Sequence, residues 1–442
     1  MRQHHDDGRT AAQVGWRLFQ VLTAAIALGF AATAQAERQI SIISTGEAYS
    51  NALQAAAEVF TERTGIEVEI DQFPYGQAYN KMVLAGTSGS SEYDIMTPDC
   101  IWLPLFMKNG WVQSLEPLEA DAEKKIDWDG FFPGIVEAYD KWQGERYAMP
   151  INFFIEVLAY LPEKLEAAGL DGPPRTWAEF ERYAKKLNDP DNDFYGVITM
   201  PGGQDAGYSE WTVRLAGQQM PPDSNQFVWN RDFEPVFNWR DQGTKALKEW
   251  LAIKPYTPPA SNEMGYAESV AAFSNGEGAM FLNWYMVFSD VEDPEKSKVA
   301  GDVAYALPPR SAGDGPKHEY LGGFQMAISS RAENPELAHE FMAFLSTDEG
   351  QELMLENGAP GAYKEYVYSS EKWLERYPFL QPVENAEKLV PLTSDFAEYV
   401  EMQRLMYNQI SAAWVGDKSP SEAMSTAEEN LEGLFRDLGY TE

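Results

Sequence analysis

Residues Gly144–Tyr160, GERYAMPINFFIEVLAY, constrain the fold of this chain more than any other stretch. The run leaves a turn at Gln143-Gly144 and continues as extended, mostly apolar backbone to Tyr160, with Pro150 inside it. Proline has no N–H to give to a ladder and holds φ at about −65°, so a sheet is interrupted or changes partners there. Strand-forming sequence on both sides of the break predicts a chain passing between two lobes. The cleft between those lobes is then the working part of the molecule.

Length agrees with two lobes. Arg2, Arg9 and Arg17 precede an apolar run, Val21–Ala32, and Ala34-Gln35-Ala36 has the small-x-small form of a cleavage site. Residues 1–36 therefore read as an export signal cut near Ala36, with a periplasmic destination. The apolar run is short for a membrane span, and no Cys follows the cut to carry a lipid. The 406 residues that follow exceed the size at which a single core keeps growing.

Charge narrows the partners. Removing the three arginines and two aspartates of the signal moves the net charge from −35 to −36. So acidic a chain argues against nucleic acid or an anionic membrane as partner, and suits either a solvated acidic surface or a cationic ligand. Cys100 is the single cysteine, so no internal disulfide exists. After the signal only His318 and His339 remain, too few and too scattered for a zinc site or a Cys-His pair. No catalytic residue, metal or cofactor is expected.

The chain opens as β-loop-α-β: a strand Gln39–Ser44, a loop Thr45-Gly46-Glu47, a helix Ser50–Arg63, and a strand alternating Ile66, Val68 and Ile70 with acids. In such α/β lobes ligands lie beyond the carboxyl ends of strands, which places Ser44–Glu47 at the cleft. Tyr75, in Phe73-Pro74-Tyr75-Gly76, and Asp99, in Thr97-Pro98-Asp99, occupy loops on the same edge. Asn188–Gly196 resembles a calcium loop but lacks Gly at the sixth position and Glu at the twelfth, so it reads as a polar turn. Thr176 with Glu179 predicts a capping box. A strand Val197–Met200 precedes Pro201-Gly202-Gly203 and the aromatic pair Tyr208 and Trp211. A further strand, Ala279–Leu282, exits into Asn283-Trp284-Tyr285; rings with a polar edge beside a loop suit the face of a sugar. Val303–Leu307, stopped by Pro308-Pro309, is a second crossing, and Gly358-Ala359-Pro360-Gly361 a third, with Tyr363 just beyond. Three linking segments make a hinge.

The motifs GERYAMP (Gly144–Pro150), PRTWAEF (Pro174–Phe180), GEGAMFLNW (Gly276–Trp284), Gly322–Gly350 and Ser419–Leu438 lie in order across nearly all of the mature chain. Together they resemble the family 1 extracellular solute-binding proteins, periplasmic components of ABC sugar importers that include maltose-binding protein. The resemblance implies an α/β, two-lobed periplasmic-binding-protein fold with a three-segment hinge and an interlobe ligand cleft. Residues 37–147 and 308–360 would form one lobe, 148–307 and 361–442 the other. It places Ser44–Glu47, Tyr75, Asp99, Gly323 and Phe324 on the first lobe's side of the ligand, and Asn152, Tyr208, Trp211, Trp284 and Tyr285 on the second. An acidic residue used by maltose-binding protein falls near Phe154 here, which argues against maltose. The expected function is capture of a sugar or polyol without chemistry and its delivery, by a monomer, to inner-membrane permease subunits. Few Arg or Lys stand in the cleft loops, which favours a neutral ligand unless Arg214 or Arg310 points inward. A secreted glycoside hydrolase or lyase and a polyamine-binding protein are the alternatives.

Overall fold

A computed structural model describes residues 38–441 apart from 47, 133–135, 137–138, 220, 222–223, 225, 312–317, 360–363, 387 and 392–395. The signal segment, Glu47 and Tyr363 therefore lie outside the described residues.

The opening folds as its pattern predicts. Strand β1 (Gln39–Thr45) buries Ile40, Ile42 and Ile43. The helix Ala48–Thr64 buries Leu53, Ala56, Ala57 and Phe60, and β2 (Glu67–Phe73) returns parallel to β1. β3 (Ile95–Met96) pairs on the other side of β1. After a small hairpin, β4 (Lys141–Trp142) with β5 (Glu145–Arg146), β6 (Ala148–Pro150) joins the same sheet. Its outermost strand positions are β2 and β6, in the order β2-β1-β3-β11-β6, where β11 is Gln325–Ile328. Pro150 thus ends an edge strand, a setting in which a missing N–H need cost no ladder bond.

The second sheet is separate and antiparallel. β7 (Glu156–Tyr160) lies between β8 (Met280–Trp284) and β9 (Ala304–Ala306). Helices Trp177–Leu187, Gln204–Ala216, Gln242–Ile253 and the C-terminal pair Tyr399–Val415 and Pro420–Asp437 build the lobe around it. A third, two-stranded sheet pairs β10 (His318–Leu321) with β12 (Lys388–Pro391) in parallel.

Among the described residues, two segments that join the main sheets, 151–155 and 322–324, hold each other; Val303–Leu307, expected as the second crossing, instead carries β9 within the second sheet. Backbone bonds run from Ile151 N to Phe324 O (3.1 Å), Phe154 N to Gly322 O (3.0 Å) and Gly322 N to Phe154 O (2.9 Å). The Asn152 side chain accepts the Phe324 N–H at 2.7 Å. Glycine is required here by closeness: a Cβ on Gly323 would stand 2.6 Å from Asn152 O, and one on Gly322 2.4 Å from the Phe154 ring. The third expected crossing runs from Gly358 and Ala359 into residues outside those described.

Three local expectations change. The apolar run through Pro150 is not one strand but two, β6 and β7, with irregular backbone between them. Val197–Met200 forms no strand; the segment meets the open edge of β8 only through isolated bridges, Tyr195 to Gly278 and Ile198 to Phe281. Thr176 caps Glu179 N at 3.1 Å, but the Glu179 carboxylate accepts from Arg175 N rather than closing a box on Thr176.

Candidate functional site

The ends of these elements enclose a cavity of about 270 Å³. From the first sheet's side come Tyr75, opening the helix after β2; Asp99 and Ile101, after β3; and Phe324, just before β11. Across from them stand Phe154 on the crossing, Trp284 at the end of β8, and Tyr208, Ser209 and Thr212 on the helix Gln204–Ala216. Asp205, Tyr266, Tyr399 and Gln403 complete that wall from the starts of three helices.

Rings make most of the surface. Trp284 meets Phe154 edge-on at 5.2 Å and donates its indole N–H to the Tyr266 hydroxyl at 3.3 Å. Phe154 reaches Phe324 at 6.0 Å, so apolar contact spans the two sides. Tyr75 packs on Trp102 at 4.6 Å and donates its hydroxyl to Asp99 Oδ2 at 2.9 Å. Such rings offer flat apolar faces while their hydroxyls stay available to a polar guest.

The polar groups are acidic or neutral. Asp99 accepts from Ile101 N at 3.2 Å as well as from Tyr75. Burial pushes its carboxyl up to about 6, against the pull of those bonds. Burial, and then the charge of Asp99, push Asp205 up to about 7; Gln403 hydrogen-bonds it and pulls the other way. The Tyr266 hydroxyl is raised by burial and then by Asp205. Ser209 donates to the buried Glu156 at the start of β7. Among the described residues no Lys, Arg or His lines the cavity. Arg214 is instead sealed against Glu210 at 2.8 Å and over Trp177, and Arg310 against Glu319, all within the core. Among the described residues no group of three His, Cys, Asp or Glu could hold a metal ion.

A cavity closed by two separate α/β sheets, with crossings that bond to one another, is the architecture of a molecule that shuts around its ligand. The sequence agrees: residues 44–352 match the family model for bacterial extracellular solute-binding proteins. This chain belongs to that family. Among relatives of the solute-binding protein, a probable amino-acid ABC transporter periplasmic-binding protein of Sinorhizobium fredii is 24% identical over 90% of each chain. A mannitol-binding protein of Pseudomonas aeruginosa is also 24% identical, over 79% of this chain and 82% of its own. In fold it is similar to an ABC transporter solute-binding protein of Agrobacterium radiobacter crystallised with ribitol, with a TM-score of 0.79, 22% identity, and coverage of 90% of this chain and 98% of that one. The two-lobed α/β fold is thus common to it and its neighbours.

Of the residues nominated from sequence, the solute-binding protein brings Tyr75, Asp99, Tyr208, Trp284 and Phe324 to the cavity wall. Others support that wall. Ser44 and Thr45 spend their hydroxyls on Ser50 (2.6 Å) and Tyr49 (2.9 Å), and the Tyr49 ring backs Phe324 at 4.8 Å. Asn152 and Gly323 belong to the bonded crossings. Asn283 is fully buried and accepts from Trp284 N at 2.8 Å. Trp211 is buried with its N–H on Gly243 O at 3.0 Å, facing Phe237. Tyr285 turns into the core, bonding Phe153 O and Tyr368. Gly46 is exposed and bonds Phe73 O. Glu47 and Tyr363 lie outside the described residues. Sequence reasoning missed Asp205, Ser209, Thr212, Tyr266, Tyr399 and Gln403. Two of these had a readable signal: Asp205 follows Pro201-Gly202-Gly203 and Tyr266 follows Gly265, where glycine loops open helices.

Proposed function

We propose that this protein captures a single-unit polyol or sugar between its lobes and hands it, unaltered, to the permease of an ABC importer. One observation carries the reading: a small cavity with aromatic walls and hydrogen-bond acceptors contributed from both sheets. Its volume of about 270 Å³ falls just under the roughly 300–1,000 Å³ of drug-sized pockets, which favours one unit over an oligosaccharide. Relatives named for mannitol and for erythritol or L-threitol support the same class. The amino-acid name borne by another relative finds less support, since among the described residues the cavity offers no cation to receive an α-carboxylate.

Closure follows from differential binding. A polyol seated on Trp284 and Phe154 in the open form gains Tyr75, Asp99 and Phe324 only when the lobes meet. That gain, about 1.5–3 kcal/mol for each hydroxyl donated to a carboxylate, shifts the population toward the closed form. The lobe built on the first sheet would move against the lobe built on the second, pivoting between Pro150 and Glu156 and at Gly322-Gly323. Export through the signal at 1–36, a periplasmic monomer without nucleic acid, and the absence of catalysis complete the proposal.

Calorimetry against four- to six-carbon alditols, monosaccharides and disaccharides tests it, with scattering in the same solutions. Saturable binding of a single-unit ligand, compaction on binding and unchanged ligand on recovery are expected. Turnover of a glycoside, or binding confined to oligosaccharides, would overturn it.

A further inference from the structure

The cavity is more acidic than a neutral ligand requires. Asp99 stands on the first sheet's side and Asp205 on the other, and both line the same small space. Asp99 is 7% exposed. The groups that face them are the Tyr75 hydroxyl, the Ile101 N–H and Cys100 around Asp99, and Gln403 and Tyr266 around Asp205. Tyr208 and Tyr399 add phenols, and Glu156 lies behind Ser209. None of these is a cation. The buried guanidinium groups of Arg214 and Arg310 are committed to Glu210 and Glu319.

Two carboxylates without a counter-ion, Asp99 buried and Asp205 partly so, are costly when ionised, and closing the lobes presses them together. Asp205 is nevertheless in the first turn of the helix Gln204–Ala216, where the helix dipole favours its charged form. A neutral polyol supplies hydroxyl donors but no charge. An ammonium supplies three donors and cancels the repulsion, and the surrounding rings of Tyr75, Trp284, Tyr266 and Phe324 suit a desolvated cation.

We propose that the ligand of this cleft is a polyhydroxylated molecule carrying one protonated amine, with the ammonium bracketed between Asp99 and Asp205. The assignment rests on the polyol reading above and names the ligand class within it. It also fixes a sign: ionised carboxylates favour the cation, so affinity for an amine rises as pH climbs through the range about 6 to about 7 in which the free pair titrates.

Matched pairs differing only by amine for hydroxyl test this: 1-amino-1-deoxy-D-glucitol against D-glucitol, D-glucosamine against D-glucose, and D-galactosamine against D-galactose, with spermidine as an amine lacking hydroxyls. Titration calorimetry at pH 7, where the amino sugars are still mostly protonated, should show the aminated member of the best-binding pair at least about tenfold tighter, the gain expected when a neutral hydrogen bond becomes charge-assisted. The advantage should shrink several-fold at pH 5 and in Asp205→Asn, with the melting temperature of the unliganded variant confirming its fold. Asp99→Asn should act in the same direction, so the result does not hang on one variant. Neutral members binding as tightly as their amines would overturn the amine assignment and leave the polyol reading standing. Spermidine outcompeting every hydroxylated probe, or no pair binding at all, would overturn both.

Discussion

Asn152 and Phe324 stand 172 positions apart in the chain, yet the Asn152 side chain accepts the Phe324 N–H at 2.7 Å and so ties one crossing to the other. Phe324 itself lines the cavity, so the tie places a wall residue and a pivot in one hydrogen bond.

Asn152→Ala leaves the buried Phe324 N–H without this partner. We expect a loss of about 1–3 kcal/mol of stability, the ordinary cost of an orphaned buried donor. Urea unfolding measures it, and scattering of the unliganded variant should show a wider spread of lobe separations than the wild type.

Gly322→Ala should be worse tolerated than Gly46→Ala. The first methyl would meet the Phe154 ring at 2.4 Å, the second only Phe73 O at 3.7 Å. Crowding of the first kind costs about 1–3 kcal/mol, whereas the second should leave stability within about 0.5 kcal/mol. Melting curves of the two variants side by side decide the matter.

Trp284→Ala removes the ring that joins Phe154 and Tyr266. Ligand affinity should fall by about tenfold to a hundredfold, corresponding to the 1.5–3 kcal/mol of a buried large side chain. Trp211→Phe, a change in the core away from the cavity, should leave affinity within about twofold while lowering the melting temperature, because the bond to Gly243 O is lost. Equal effects of both on affinity would contradict the wall as drawn.

Stability of the free protein should depend on pH in a sense set by its buried and partly buried acids. Asp99 is raised to about 6, and Asp140, Asp205, Glu249 and Glu319 to about 7, burial being the first cause in each. Raised carboxyls bind protons more tightly folded than unfolded, so their contribution is complete below the unfolded value of about 4 and is lost as pH rises through about 7. The largely exposed Glu349, Glu401 and Glu422 are lowered by Arg63, Arg404 and Ser419, and oppose this weakly. A melting temperature higher at pH 5.5 than at pH 8 is expected, with a shallower slope in Asp205→Asn.

What the residues reveal in advance follows from how local their signals are. Pro150 announces the break between sheets because its missing N–H acts wherever it sits. Ile40, Ile42, Ile43, Val68 and Ile70 announce a doubly wound opening by period alone. Tyr75, Asp99, Trp284 and Phe324 follow proline, glycine or a strand exit, so their loops are marked in sequence. Asp205, Tyr266, Tyr399 and Gln403 belong to helix starts that meet only when the second lobe is packed, and no local pattern shows which helix ends converge. Trp211 and Tyr285 have the composition of a sugar platform but face the core, a choice made by Gly243 and Phe237 for one and by Phe153 and Tyr368 for the other.

Cys100 is fully buried, gives its N–H to Gly323 O at 2.8 Å, and has its thiol held in the protonated form first by burial and then by Asp99. Maleimide reagents will therefore pass over the native sulfur. Cysteines engineered onto the outside of each half would take up dyes without any need to delete the natural one. The opening and shutting of single molecules can then be followed by energy transfer in an otherwise unaltered protein.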